Sequence, residues 1–224
     1  MPDYRELLDE FKSVISGSNS LLDSLVPPVL FLIINIMFGF QPALWASLGI
    51  GAGITLLRLF RKQKPLYALG GLGAALLAIG LRYLLNSAQA FFLPTLINSA
   101  LTIIILIVSI IIQRPAVAFT SAVTRRWPLG WYWHPRVRPA YTEVTAMWVV
   151  YSIIKLAVQL FLYRQGNVEG LAVFNLVSGW PTLILLLILS YLYGMKRLNN
   201  LKGPSVQEFI NNSPAPWGGQ QRGF

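Results

Sequence analysis

Long apolar runs separated by short polar stretches dominate the chain. The runs cover about residues 21–40, 42–60, 66–85, 95–112, 141–163 and 171–193. A helix needs roughly 20 apolar residues to cross the hydrocarbon core of a bilayer. Inside that core, only helices and closed barrels satisfy their own backbone hydrogen bonds. The pattern therefore predicts an all-α fold, a polytopic membrane helix bundle with six transmembrane helices over residues 21–195.

The two ends of the chain have different patterns. In residues 1–20, apolar side chains such as Tyr4, Leu7 and Phe11 recur at helical spacing and polar ones occupy the opposite face. This predicts an N-terminal interfacial amphipathic helix and a linker, with a solvated terminus as the alternative. No small-residue cleavage site follows the first apolar run, so no cleavable signal peptide is expected. Residues 196–224 are expected to be a partly disordered cytoplasmic tail, with one short helix capped by Ser205 and Glu208.

The distribution of charge predicts an orientation. Only 12% of the 224 residues are charged and the net charge is +10, whereas soluble domains carry about 25% charged residues. Fifteen of the 18 basic residues fall in segments on one predicted side of the membrane. The positive-inside rule assigns that side to the cytoplasm, which gives a multi-pass protein of the cytoplasmic (inner) membrane with cytoplasmic N- and C-termini. Because the charge lies in short loops, the expected partners are the lipid bilayer and its anionic headgroups, with no nucleic acid.

Composition argues against several kinds of chemistry. The chain has no Cys and a single His, so no disulfide, thiolate nucleophile or histidine metal site is expected. It also has no P-loop, no nucleophile elbow and no dinucleotide-binding glycine motif. We therefore predict no catalytic residue, metal or cofactor.

The fifth predicted span carries one polar stripe. Tyr141, Thr145, Trp148, Ser152, Lys155 and Gln159 recur at intervals of three and four, which places them on one helix face. A charged side chain within a span normally faces the bundle interior and has a partner. By depth, the candidate polar cluster contains Lys155, Gln159, Ser152, Asn35, Asn98 and Asn175. It could be a buried network that fixes helix register, a site for an anionic headgroup or small anion, or a proton relay.

The longest loop, residues 113–140, alternates cations with aromatic residues. Its candidate docking or headgroup residues are Arg114, Arg125, Arg126, Trp127, Trp131, Trp133, Arg136 and Arg138. Tryptophan is enriched where a membrane protein meets the headgroups, so the simplest interpretation is an interfacial anchor. The alternative is a surface that docks lipid phosphates or a membrane-protein partner.

Several residues also carry a family resemblance. Their order runs through Arg114, Pro115, Trp131, Pro135, Arg138, Ala140, Tyr141, Thr145, Trp148, Lys155, Gln159, Leu162, Tyr163, Gly179 and Pro181. This order resembles an uncharacterised bacterial family of multi-pass membrane proteins, a domain of unknown function, over about residues 17–195. The general layout is similar to that of the intracellular septation protein A group. The resemblance implies an Arg at the position of Lys155 and an acidic residue at that of His134, so the chain departs from the pattern at His134.

Two functions follow as expectations. The first is a non-enzymatic integral membrane protein that acts through protein partners or lipids, as a membrane-complex subunit or, by analogy with the resembling group, in envelope maintenance. The second is a small carrier for an anionic or amphipathic solute that uses the polar cluster around Lys155.

Overall fold

The structure, a computed structural model, describes residues 30, 33–35, 37–60, 73, 76, 77, 79–221, 223 and 224. The predicted N-terminal amphipathic helix lies outside the described residues, as do most of the first predicted span and most of the third. Every regular element in the described residues is helical, and none is a strand. The all-helical prediction is therefore confirmed for this part of the chain.

Eight α-helices and one 3-10 helix have defined bounds. In chain order they are α1 (Phe40–Phe60), a 3-10 helix (Ala88–Phe92), α2 (Leu93–Ile111), α3 (Ala116–Arg125), α4 (Leu129–Tyr132), α5 (Arg138–Arg164), α6 (Val168–Val177), α7 (Trp180–Leu201) and α8 (Val206–Ile210). Residues 79–84 are also helical. The helices α1, α2 and α5 coincide closely with the predicted spans 42–60, 95–112 and 141–163.

Three helical stretches within the described residues are long and apolar enough to cross a membrane. They are Ala88–Ile111 with 24 residues, Arg138–Arg164 with 27 and Val168–Leu201 with 34. They overlap the last three predicted spans, so membrane-spanning character is supported for the second half of the chain. The count of six spans stays a prediction.

The last of these stretches is interrupted. Helix α6 ends at Val177, and α7 begins at Trp180. Between them, the backbone N–H of Ser178 donates to Phe174 and that of Gly179 donates to Leu176. The single predicted span 171–193 is therefore built from two helices.

The chain divides into two compact units, and the boundary between them crosses α2, α5 and the start of α7. The first unit contains the described residues up to Ile97 together with Val158–Trp180. Its core contains Ala43, Leu44, Phe92, Leu171 and Ala172. Small alanines at these positions let helices approach closely, which matters because the hydrophobic effect does not drive helices together in lipid.

The second unit contains Asn98–Ala157 and Pro181–Phe224. Its core joins α3, α4, the start of α5 and the tail through a set of buried residues, Ala118, Ala122, Trp131, Tyr132, Val137, Ala140, Tyr141, Leu198 and Val206. At the centre of this set, the indole N–H of Trp131 donates to the backbone carbonyl of Pro204 at 2.8 Å. This bond ties the loop to the tail.

The tail has a defined conformation. Ser205 caps α8 with its side chain, and Glu208 bonds back to the Ser205 backbone, which completes a capping box. Trp217 donates its indole N–H to the Ser213 carbonyl at 2.9 Å. The short helix predicted from the sequence is therefore confirmed, and the partial disorder of the tail stays a prediction.

Replacing Trp131 should weaken the second unit more than replacing its neighbour. In Trp131→Phe, the buried Pro204 carbonyl loses its donor, and leaving such a group unpaired costs about 1–3 kcal/mol. Trp133→Phe is the matched control, since Trp133 is partly exposed and keeps an aromatic ring. We expect the Trp131 variant to unfold at a lower temperature in detergent. Equal unfolding midpoints for the two variants would contradict this role of the Trp131 bond.

Candidate functional site

The chain turns sharply between α2 and α3, and the turn leaves Arg114 exposed. Gln113 adopts a positive φ of 57°. The Ser109 hydroxyl accepts a hydrogen bond from the backbone N–H of Ala116 at 3.1 Å and donates to the Leu106 carbonyl at 2.7 Å. Helix N-termini leave backbone N–H groups without helical partners. Ser109 therefore satisfies one of these groups and fixes where Arg114 emerges.

An aromatic core lies next to this turn. Trp131, Tyr132 and Tyr141 are fully buried, and each pair meets edge-on, with ring centroids 4.9–6.2 Å apart. Such edge-to-face pairs are favourable beyond the area they bury. The Tyr132 hydroxyl shares a hydrogen bond with the Ser121 hydroxyl at 3.0 Å, and burial raises the pKa of the Tyr132 phenol. Trp131 is therefore a core residue, although the sequence groups it with the docking loop.

Three arginines near this core lie over indole rings. The guanidinium carbon is 4.5 Å from the ring centroid for Arg114 over Trp133, 5.1 Å for Arg125 over Trp127 and 5.5 Å for Arg136 over Trp217. A cation over an aromatic face is attracted by the ring quadrupole, but its charge is not neutralised. These groups therefore keep their affinity for an anion. We call this region the basic aromatic surface and define it as Arg114, Arg125, Arg126, Arg136, Arg138, Trp127, Trp133 and Trp217.

The other two arginines of the surface are placed by local geometry. Arg126 follows α3 in the left-handed conformation, with a φ of 58°, and it is exposed. Arg138 donates to the Gln113 side-chain oxygen at 2.7 Å. Exposed apolar side chains belong to the same segment, with Phe119 43% and Val123 80% exposed. Cations and apolar side chains together are typical of a surface that meets a membrane interface.

The second unit is rich in cations and poor in carboxylates. It contains ten Lys and Arg residues and two acidic residues. One of the acids, Glu143, accepts two hydrogen bonds from Arg197 Nε, at 3.0 and 2.9 Å, and one from Nη2 at 2.8 Å. The Tyr193 hydroxyl also donates to Glu143 at 2.7 Å. Glu143 is therefore paired with Arg197 and Tyr193 of α7, and it does not neutralise the basic aromatic surface.

The second acid, Glu208, forms its hydrogen bonds within the tail. Its carboxylate accepts hydrogen bonds from the backbone N–H groups of Ser205 and Gly218, both at 2.7 Å. These bonds lower the pKa of the Glu208 carboxyl. Within the part of the chain that the structure describes, Arg114, Arg126 and Arg136 have no ion pair with a carboxylate.

The structure brings two members of the predicted polar cluster together. Gln159 is fully buried, and its side-chain amide donates to the Asn175 side-chain oxygen at 2.6 Å, which links α5 to α6 in the first unit. Asn35 is also buried in that unit. Asn98 belongs to the second unit and is exposed, with its carbonyl accepting from the Thr102 hydroxyl.

The remaining cluster residues, Ser152 and Lys155, belong to the second unit. Ser152 is 7% exposed. Lys155 is partly buried, and it makes no hydrogen bond or ion pair with another described residue. On the same face of α5, the Trp148 indole N–H donates to Ser190 at 2.9 Å. Among the described residues, Lys155 is therefore a cation without a counter-ion, in a helix that is long and apolar enough to cross a membrane.

Sequence reasoning missed four residues that complete these sites. Trp217 and Phe224 are in a segment rich in Pro and Gly, which is typical of disorder. Tyr193 and Arg197 are in the last turns of an apolar helix, where aromatic and basic residues are read as interfacial anchors. The useful signal is a single carboxylate in a strongly basic region, because opposite charges that are close together attract each other.

Apolar helices of spanning length, together with a surface of cations and indoles, are the features of a helical membrane protein. Residues 15–200 match the family described as "Protein of unknown function (DUF3159)", and the chain belongs to that family. The predicted resemblance to an uncharacterised family is thereby confirmed. No curated protein and no solved structure matches the chain.

Proposed function

We propose that the chain is a non-enzymatic integral membrane protein that acts through lipids or protein partners bound at its basic aromatic surface. By analogy with the septation protein A group, whose layout the sequence resembles, the proposed role is in envelope maintenance or as a subunit of a membrane complex. The proposed location is the cytoplasmic membrane, with six spans and with both termini in the cytoplasm.

One observation carries this proposal, namely the unbalanced charge of the second unit. Ten basic residues accompany two acidic ones, and both carboxylates are engaged elsewhere. Lipid phosphates supply the missing negative charge, and each Lys or Arg near an anionic leaflet contributes about 1 kcal/mol to attraction. A guanidinium also matches a phosphate group in geometry, because it presents several N–H donors in one plane.

Loss of surface arginines should reduce binding of anionic lipid. Arg126→Gln removes an exposed cation from the basic aromatic surface, and we expect roughly fivefold weaker retention, from about 1 kcal/mol. The matched control is Arg164→Gln, since Arg164 is also exposed but ends α5. The measurement is native mass spectrometry of protein extracted from nanodiscs of mixed phosphatidylglycerol and phosphatidylcholine. Equal retention by the two variants would argue against a lipid site at this surface.

The proposed orientation places α3 and the turn after α5 on opposite sides of the membrane. The chain contains no Cys, so a single introduced Cys reports its own location. Thr124 in α3 and Gln165 after α5 are both exposed. In intact cells, we expect an impermeant maleimide to label Gln165→Cys and to label Thr124→Cys only after permeabilisation. The reverse pattern would invert the orientation, and labelling of both from outside would remove the span between them.

A second function, a small carrier for an anionic or amphipathic solute, has its own support. Lys155 has no counter-ion among the described residues, and ionisable groups within spans often mark substrate pathways. The interruption at Ser178–Gly179 is the other feature in its favour. In many transporters, binding sites form where spanning helices are discontinuous.

Replacement of Lys155 separates the two functions. Lys155→Met keeps the length of the side chain and removes its charge. If the protein is a carrier, the variant should fold normally and lose uptake of small carboxylate and phosphate anions into proteoliposomes. If the protein acts through its surface, the variant should fold at least as well and should retain anionic lipid normally. Lys196→Met, at an exposed position on α7, is the matched control. An equal fall in anion uptake in both variants would count against a specific role of Lys155.

A further inference from the structure

The tail folds back onto the basic aromatic surface. After the Trp131–Pro204 bond, the tail is held by its own polar contacts, including the bond from the Gly218 N–H to Glu208. The side-chain oxygen of Gln220 accepts from the Val206 N–H at 3.0 Å. These contacts place residues 217–221, 223 and 224 against the loop between α2 and α5.

Two of the three arginine–indole pairs involve this segment. Trp217 is itself the ring under Arg136, and it meets the His134 ring edge-on at 5.3 Å. At the other end of the segment, the main-chain oxygen of Phe224 accepts from Arg125 Nε at 3.1 Å. The segment therefore contacts cations at both of its ends.

Close packing seals the second of these contacts. Gly223 is buried against Arg125 and Trp127, and a Cβ there would come within 2.5 Å of Arg125 Nη1 and 2.8 Å of the Trp127 ring. Gly223 also has a φ of 81°, which only glycine adopts readily. Only a glycine therefore lets the chain lie this close to the pair.

The Phe224 ring occupies a fitted slot. It stacks on Tyr141 with centroids 4.3 Å apart and planes 6° from parallel. On α7, a Cβ at Gly194 would overlap the Phe224 ring. The absence of a side chain at Gly194 thus makes room for Phe224, and the ring covers the buried face of Tyr141.

We propose that the described residues of the segment, 217–221, 223 and 224, form a strap that competes with anionic phospholipid headgroups for Arg125 and Arg136. Closure of the strap gives these cations a main-chain oxygen and an indole as partners, and a lipid phosphate competes for the same guanidinium groups because it is an anion with several acceptor oxygens. Arg114 and Arg126 lie outside the strap's contacts and make the first encounter with lipid. The strap then opens and adds two more cations to the binding surface. This inference rests on the proposed lipid-binding function.

Opening the strap by mutation should strengthen lipid binding. In the double variant Trp217→Ala with Phe224→Ala, both aromatic anchors are lost while every arginine remains. We expect anionic lipid retention to rise about fivefold or more, which is the effect of one additional cation at an anionic surface. Ile210→Ala is the control, since Ile210 lies in the tail and is 52% exposed. Unchanged or reduced retention by the double variant would overturn the strap.

A distance measurement tests the strap with both of its anchors intact. Spin labels at Thr124→Cys and Gln221→Cys are site-specific in a chain without Cys, and both positions are exposed. Double electron–electron resonance should give one short distance in phosphatidylcholine nanodiscs and a second, longer population when phosphatidylglycerol is added. A single unchanged distance in both membranes would overturn the competition.

The Arg126→Gln assay tests the proposed lipid-binding function, and the double variant and the spin-label distance test the strap. If Arg126→Gln does not reduce lipid retention, the proposed lipid-binding function fails and the strap has nothing to regulate. If Arg126→Gln reduces retention but the double variant and the spin-label distance do not change, only the strap is wrong.

Discussion

The indole N–H of Trp131 reaches across 73 residues of sequence to the carbonyl of Pro204, and the second unit is organised around this contact. Lipid does not drive helices together, because its chains are as apolar as leucine. The hydrophobic effect can drive a core together only where the apolar side chains would otherwise contact water, which is outside the lipid. Trp131, Tyr132 and Tyr141 provide such a core next to the spans. Their burial joins α3, α4, α5 and the tail, and it fixes the positions of the arginines around them.

Charge then decides what this assembly can bind. Of the two carboxylates in the second unit, Glu143 accepts hydrogen bonds from Arg197 and Tyr193, and Glu208 accepts them from backbone N–H groups of the tail. Both acids therefore stabilise the fold. Indoles lie beside Arg114, Arg125 and Arg136, and an indole holds a cation in position without neutralising it. Like charges that are close together repel one another, and in the proposed function an anionic leaflet supplies the balancing charge.

The parts of the fold that could be predicted are those that chemistry alone specifies. A run of about 20 apolar residues has few alternatives to a spanning helix, so α2 and α5 fall where the sequence places them. The stripe on α5 was also predictable, since spacing fixes a helix face, and Gln159 does pair with Asn175. Which loop residues are buried was not predictable from the sequence. Trp131 and Trp133 are two residues apart with the same composition around them, and only a contact with the distant Pro204 separates core from surface. The contacts of the tail could not be predicted, because its Pro and Gly content obscures two aromatic anchors, Trp217 and Phe224.

The polar stripe on α5 looks like one feature in sequence but serves two purposes in the structure. Tyr141 packs under Phe224, Thr145 accepts from the Val117 N–H and donates to the Tyr141 carbonyl, and Trp148 donates to Ser190. Two of these contacts, Thr145–Val117 and Trp148–Ser190, use polar groups of the stripe to join α5 to other helices, which is how polar residues contribute to helix packing in membranes. Lys155 lies about 21 Å along the helix from Tyr141, at 1.5 Å per residue. It is the cation of the stripe, and it has no counter-ion among the described residues. A continuous solute path along this face would require the Thr145–Val117 and Trp148–Ser190 bonds to break, whereas lipid binding at the basic aromatic surface, with the strap open or closed, leaves these two bonds intact. This difference supports the proposed surface binding over the carrier alternative.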